Sequence, residues 1–151
     1  MDGMRKGILG LAAIGMSAAL SAAGDTEPPP LAAYDGKYPH AAAPVPQFLD
    51  HPLVRRAVET VVEDADLRRR LLDHGGPKTP IWIEDGRIHS WGCEQHLCGP
   101  HNWTVSMKLD GSEPEVCHHN ADTPASGATW YLAGRTEVRE FQCPSEKAEG
   151  D

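Results

Sequence analysis

Positive charge is scarce in this chain: 14 Lys and Arg stand against 22 Asp and Glu, for a formal net charge of −8 at pH 7. A surface of that sign makes nucleic acid and anionic lipid poor partners and a basic protein a favourable one. The same balance also serves plain solubility, so charge alone leaves both readings standing. Long apolar runs are missing as well. The most apolar stretch, GILGLAAIGMSAALSAAG after Met4-Arg5-Lys6, is built largely of Ala and Gly and falls short of the roughly 20 strongly apolar residues that a membrane span needs. Its basic start, apolar middle and small-residue end at Ser21-Ala22-Ala23 read as a secretory signal, residues 1–23. No cysteine lies near that end, which excludes a lipid-modified cysteine start. Loss of Arg5, Lys6 and Asp2 with the signal takes the charge one unit further negative. The expectation is an exported, periplasmic protein with neither a membrane nor a nucleic-acid partner.

Internal repeats are absent, and so are the motifs G-x-S-x-G, H-E-x-x-H and G-x-G-x-x-G. With 151 residues, 40% of them apolar, the chain can build one modest core. The search is therefore for one site, and enzymatic chemistry is the minority reading.

Residues 24–47 are rich in Pro and Ala and lack periodicity, which argues an extended lead-in, with the folded domain spanning 48–151. From Phe48 the pattern is helical. Asp50 can cap, Pro52 suits the first turn, and Leu53, Val54, Ala57, Val58, Val61 and Val62 recur at helical spacing. A second short helix follows, capped by Asp64, with Leu67, Leu71 and Leu72 as its apolar face and His74-Gly75-Gly76-Pro77 as its stop. Arg68-Arg69-Arg70 reads as a solvated face. After Pro80 strand patterns take over: 81–83 and 87–91 form a hairpin around Asp85-Gly86, followed by 103–107, 115–118, 129–132 and 137–143. These patterns predict an α+β domain, an antiparallel sheet of about five strands with two helices packed on one face. Trp82, Trp91, Trp103 and Trp130 fall on the strands and read as core.

The chemistry concentrates in HSWGCEQHLCGPHN, residues 89–102. The four cysteines, Cys93, Cys98, Cys117 and Cys143, allow three pairings, and in an oxidising compartment disulfides are the default. Pairing neighbours is favoured: Cys93 with Cys98 closes a small loop, and Cys117 with Cys143 ties a mid-chain strand to the C-terminal end. A zinc site could recruit Cys93, His96, Cys98 and His101, with His118-His119 nearby, but these four candidates crowd into nine residues rather than forming two separated pairs. A redox centre would want C-x-x-C at a helix start, and a Cys–His nucleophile needs a free thiolate. What remains is mechanical. A disulfide-closed loop is ordered before it binds, and His96 at its middle can donate to carboxylates and becomes cationic beside them, so an acidic active site is its natural target. The bland reading is a braced turn with His96 idle in solvent and His118-His119 an exposed strand end.

The stretch Cys93-Glu94-Gln95-His96-Leu97-Cys98 with Gly99 resembles the C-x-x-H-x-C-G loop of the inhibitor of vertebrate lysozyme (Ivy) family. Thr79-Pro80, the Asp85-Gly86 turn and Asn102 look like the same surroundings, and the likeness covers roughly residues 50–140. The resemblance implies a periplasmic α+β protein without a cofactor, a non-enzyme that plugs the cleft of c-type lysozyme. Its target-binding loop would be Cys93, Glu94, Gln95, His96, Leu97 and Cys98, with His96 hydrogen-bonded to the two catalytic carboxylates and His101 supplementing it. The family commonly forms dimers, so a homodimer is a further implied partner. Strongly inhibiting members carry a Lys after the first cysteine and an Asp after the histidine, where this chain has Glu94 and Leu97. A carboxylate brought toward an acidic cleft should cost binding, which brings in a second target of the same kind, an endogenous lytic transglycosylase. A basic lysozyme would still be steered toward an acidic inhibitor.

Overall fold

The computed structural model describes residues 27–123 and 127–146. The signal sequence expected at 1–23 lies outside them. Helices α1 (Pro52–Val61) and α2 (Ala65–Leu71) precede an antiparallel sheet of six strands in chain order: β1 (Trp82–Glu84), β2 (Arg87–Cys93), β3 (His101–Lys108), β4 (Glu115–Asn120), β5 (Ala128–Leu132) and β6 (Arg135–Arg139). The α+β class is as expected, with one strand more than the five foreseen. Among the described residues no helix is long and apolar enough to cross a membrane.

Alternation along the strands sorts their side chains to two faces. Ile88, Trp103, Val105, Met107 and Val116 point to the helices and pack with Val54, Ala57, Val58, Val61, Leu67 and Leu71. The opposite face is smaller. There the Cys117–Cys143 disulfide packs with Ala128 between the half-buried Trp91 and Trp130, and Arg139 lies over the Trp130 ring at 4.1 Å. The chain after β6 crosses this face. Thr104 Oγ1 donates to Pro144 O and Thr79 Oγ1 to Ser145 O, so a short strap covers the middle of the sheet.

That strap explains why β6 ends at Arg139 rather than at Cys143. Cys143 bonds to β4 with the two Cα atoms 5.5 Å apart, whereas a residue kept in β6 would sit two strands away, roughly 9–10 Å. The disulfide requires the chain to leave the sheet. Of the four tryptophans, Trp82 and Trp103 are buried as expected, and Trp91 and Trp130 are half-buried on the strap side.

The N-cap of α2 is Asp64, whose Oδ1 accepts the amides of Asp66 and Leu67. The cap of α1 is His51 instead of Asp50: its Nδ1 accepts from Leu53 N at 3.1 Å, so Nε2 carries the proton and donates to Pro29 O at 3.0 Å. Asp50 sits in a 3-10 turn (Phe48–Asp50) and pairs with Arg55.

The His51–Pro29 bond points to a larger difference, because the core reaches back into the Pro/Ala-rich segment. A 3-10 turn, Leu31–Tyr34, puts Leu31 (0% exposed) and Tyr34 (2%) among the core side chains. The Tyr34 ring meets Phe48 edge-on with centroids 5.4 Å apart, and its hydroxyl donates to Pro46 O. Gly36 N and Ile81 O, and Ile81 N and Lys37 O, are hydrogen-bonded at 2.8 Å. A segment without periodicity can still supply isolated anchors, which a periodicity argument does not register. Leu31→Ala is accordingly expected to destabilise the domain by about 3 kcal/mol, as for a fully buried leucine. Equilibrium urea unfolding checks this, and a change within about 0.5 kcal/mol would mean the lead-in is dispensable.

Candidate functional site

The candidate site grows out of the β2–β3 connection. Register pairs Cys93 with Asn102, and the seven residues between the strands, 94–100, are drawn back on themselves by the Cys93–Cys98 bond. Backbone bonds stiffen the loop from within: Leu97 N donates to Glu94 O, His101 N to Leu97 O and Glu94 N to His101 O, all between 2.8 and 3.1 Å. Asn102 acts as a latch, its Nδ2 donating to Cys98 O at 2.9 Å and Gly99 O at 3.1 Å. From below, Cys93 N donates to Pro77 O, and the chain at Gly76 passes so close that a Cβ there would stand 2.5 Å from Cys93 O. With φ at +74° as well, that position admits only glycine.

His96 is the third residue of the Glu94–Leu97 turn and takes a left-handed φ of +67°. Type II turns reserve this place for positive φ, and the ordinary side chains that tolerate it best are Asn, Asp and His. The conformation carries the imidazole to the tip of the loop, where Gln95 and His96 are exposed and Leu97 is 40% exposed. All four cysteines are paired as favoured from their order, so no thiolate is left for a zinc ligand or a nucleophile. Among the described residues no group of three or more His, Cys, Asp and Glu is arranged to hold a metal ion.

The remaining residues of the predicted loop divide. Glu94 points away from the tip, its Oε2 lying 3.8 Å from His101 Nδ1 and 3.9 Å from an Arg70 nitrogen. His101 does not stand beside His96. It is 9% exposed on the helix-facing side of β3, and its Nε2 lies 3.3 Å from Asp122 Oδ2. Strand pairing with Asn120 is the reason, since it turns the ring under the loop instead of outward. Arg70 and Asp122 thus belong to the loop's support, and the sequence reading missed both. Arg70 was read with Arg68 and Arg69 as solvated, and only Arg69, paired with the exposed Asp66, fits that description. Arg68 turns back to Val62 O and Glu63 O. No periodic signal separates the three, because α2 is only 7 residues long.

His118 and His119 are half-buried within β4 rather than exposed at its end. His119 Nδ1 bonds Gly127 O at 2.8 Å. His118 faces α2, and desolvation, followed by the positive charge of Arg70, pushes its pKa down to about 4. Burial, with Arg87, also lowers that of His89, which stacks on Trp82.

A histidine held neutral in the folded state at about 4, against 6.5 for the free side chain, is protonated more readily when the chain unfolds. The stabilisation is complete above pH 6.5 and is lost as the pH falls toward 4. Stability measured by urea unfolding should therefore decline across that window. His118→Gln should flatten the decline without abolishing it, because His89 contributes with the same sign. An unchanged slope in the variant would show that His118 does not titrate in this way.

No protein-family model, curated protein or solved structure matches the chain.

Proposed function

We propose that the protein is an exported, periplasmic inhibitor of c-type lysozyme of the Ivy kind, one that plugs the target's cleft with the loop closed by Cys93 and Cys98 and catalyses nothing itself. The observation that carries this reading is His96, exposed at the left-handed tip of a loop that is covalently and hydrogen-bond closed before any partner arrives. Pre-ordering lowers the entropic cost of insertion. An imidazole offers a donor to paired catalytic carboxylates and gains a proton as it approaches them. One carboxylate of such a pair is a general acid, and occupying the space between the two excludes substrate without a chemical step.

The apparent obstacle, a glutamate in the loop, is lessened by where its charge lies. Glu94 faces Arg70 and His101, on the supporting side, and not the direction in which His96 points. Gln95 and Leu97 flank the histidine without adding charge, and the chain's net −8 suits a basic enzyme.

The test is lysis of peptidoglycan by c-type lysozyme in the presence of the unaltered chain or of His96→Asn. Asparagine accepts the left-handed backbone where alanine would strain it, so loss of function cannot be charged to a distorted loop. The unaltered chain should inhibit, and the variant should inhibit roughly thirty-fold less well, the scale of losing a contact of about 2 kcal/mol at an interface centre. Equal inhibition by both proteins would remove His96 from the mechanism. No inhibition by the unaltered chain would rule out this target and move the same assay to lytic transglycosylases, which also depend on a catalytic glutamate.

A further inference from the structure

A second feature lies on the helix-covered side of the sheet: a cleft of about 310 Å³ between α2 and strands β4 to β6. That volume is at the lower end for small-molecule sites, roughly 300–1,000 Å³. The strands contribute neutral polar groups, with His118 and Thr129 directly opposite one another on β4 and β5 and Tyr131 beside them. The helix contributes charge of both signs, Asp64 at its start and Arg70 in its last turn. Six helical positions separate these two by about 9 Å along the axis.

Both charges reach the same imidazole. Arg70 depresses the His118 pKa while Asp64 opposes it, and Asp64 adds to the effect of burial in raising that of Tyr131. The cleft floor therefore lies between a fixed cation and a fixed anion. Each retains bonding capacity. The helix-cap bonds use Oδ1 of Asp64, and Arg70 approaches Glu94 only to 3.9 Å, beyond hydrogen-bonding distance. Asp66, the other acid on the rim, is paired with Arg69 at 2.9 Å. Between them His118 Nε2 is buried without a hydrogen-bond partner, a state that native structures seldom leave unanswered.

A simple anion would meet Asp64 and a simple cation would meet Arg70, so neither suits both ends. A molecule with an ammonium at one end and a carboxylate at the other does. Since both side chains lean inward from their 9 Å spacing, an extended two-residue peptide, spanning roughly 7 Å, matches better than a single amino acid. We propose that this cleft binds a zwitterionic dipeptide, its carboxylate on Arg70, its ammonium on Asp64 and its peptide group against His118 and Thr129.

The experiment is an NMR titration of the isotopically labelled chain with L-alanyl-L-alanine, its N-acetyl and C-amide forms, and free L-alanine, each at millimolar concentration. Dialanine should give saturable shifts at His118, Thr129 and Tyr131. Each blocked form should bind about ten-fold more weakly, the loss expected for one charge-assisted contact, and free alanine should also be weaker. Arg70→Gln should erase the discrimination against the amide. Asp64→Asn, which keeps a competent helix cap, should erase the discrimination against the acetylated form. Absence of saturable shifts with any probe, equal affinity for blocked and unblocked dialanine, or alanine binding as tightly as the dipeptide would each overturn the proposal.

Discussion

Strand β3 is buried at every position but its last, and the rest of the architecture answers to that constraint. A strand so placed must be covered on both faces. Trp103, Val105 and Met107 are covered by the helices and, beneath them, by Leu31 and Tyr34 from the lead-in. Thr104 is covered by the strap that Cys143 holds down, where its hydroxyl satisfies Pro144 O. The candidate loop begins where this doubly covered strand begins. Asn102 and His101, its first residues, are the groups that latch the loop from beneath. Rigidity at the tip is thus borrowed from the best-packed strand in the molecule.

Two different kinds of closure serve the two ends of this arrangement. The Cys117–Cys143 bond joins residues 26 apart and fastens a long return segment, so its contribution is to the stability of the whole domain. The Cys93–Cys98 bond joins residues only 5 apart and closes little chain entropy. Its effect is local, restricting the ensemble from which His96 would be drawn into a cleft. The same chemistry therefore supports the fold in one place and the presentation of a side chain in the other.

Much of this was legible in the sequence where one physical rule acted alone. Alternation revealed the strands, Asp64 declared its helix cap, and the order of the cysteines indicated their pairing. Legibility failed where two rules competed. His51 displaced Asp50 as cap because its second nitrogen also reaches Pro29, a contact 22 residues away that no local pattern encodes. Leu31 and Tyr34 were hidden in a composition that reads as linker. In the candidate site His96 was identifiable from loop closure and side-chain chemistry together. His101, in the same short stretch, changed character because strand register turned it inward, and register is a property of two strands rather than of one.

Arg70 is the residue on which these threads meet. It lies at the end of α2, within 3.9 Å of the Glu94 carboxylate under the loop, and it borders the cleft that faces His118. Its charge offsets that of Glu94 on one side and helps keep His118 neutral on the other. Lysine at this position would supply the charge but not the planar fork, which can face two partners at once through separate nitrogens. A single guanidinium thereby links the support of the loop to the electrostatics of the cleft. An occupant that drew Arg70 toward itself would weaken its attraction for Glu94. The carboxylate would then lean more heavily on His101, so the loop and the cleft are electrostatically coupled through a side chain that belongs to neither the tip of the one nor the floor of the other.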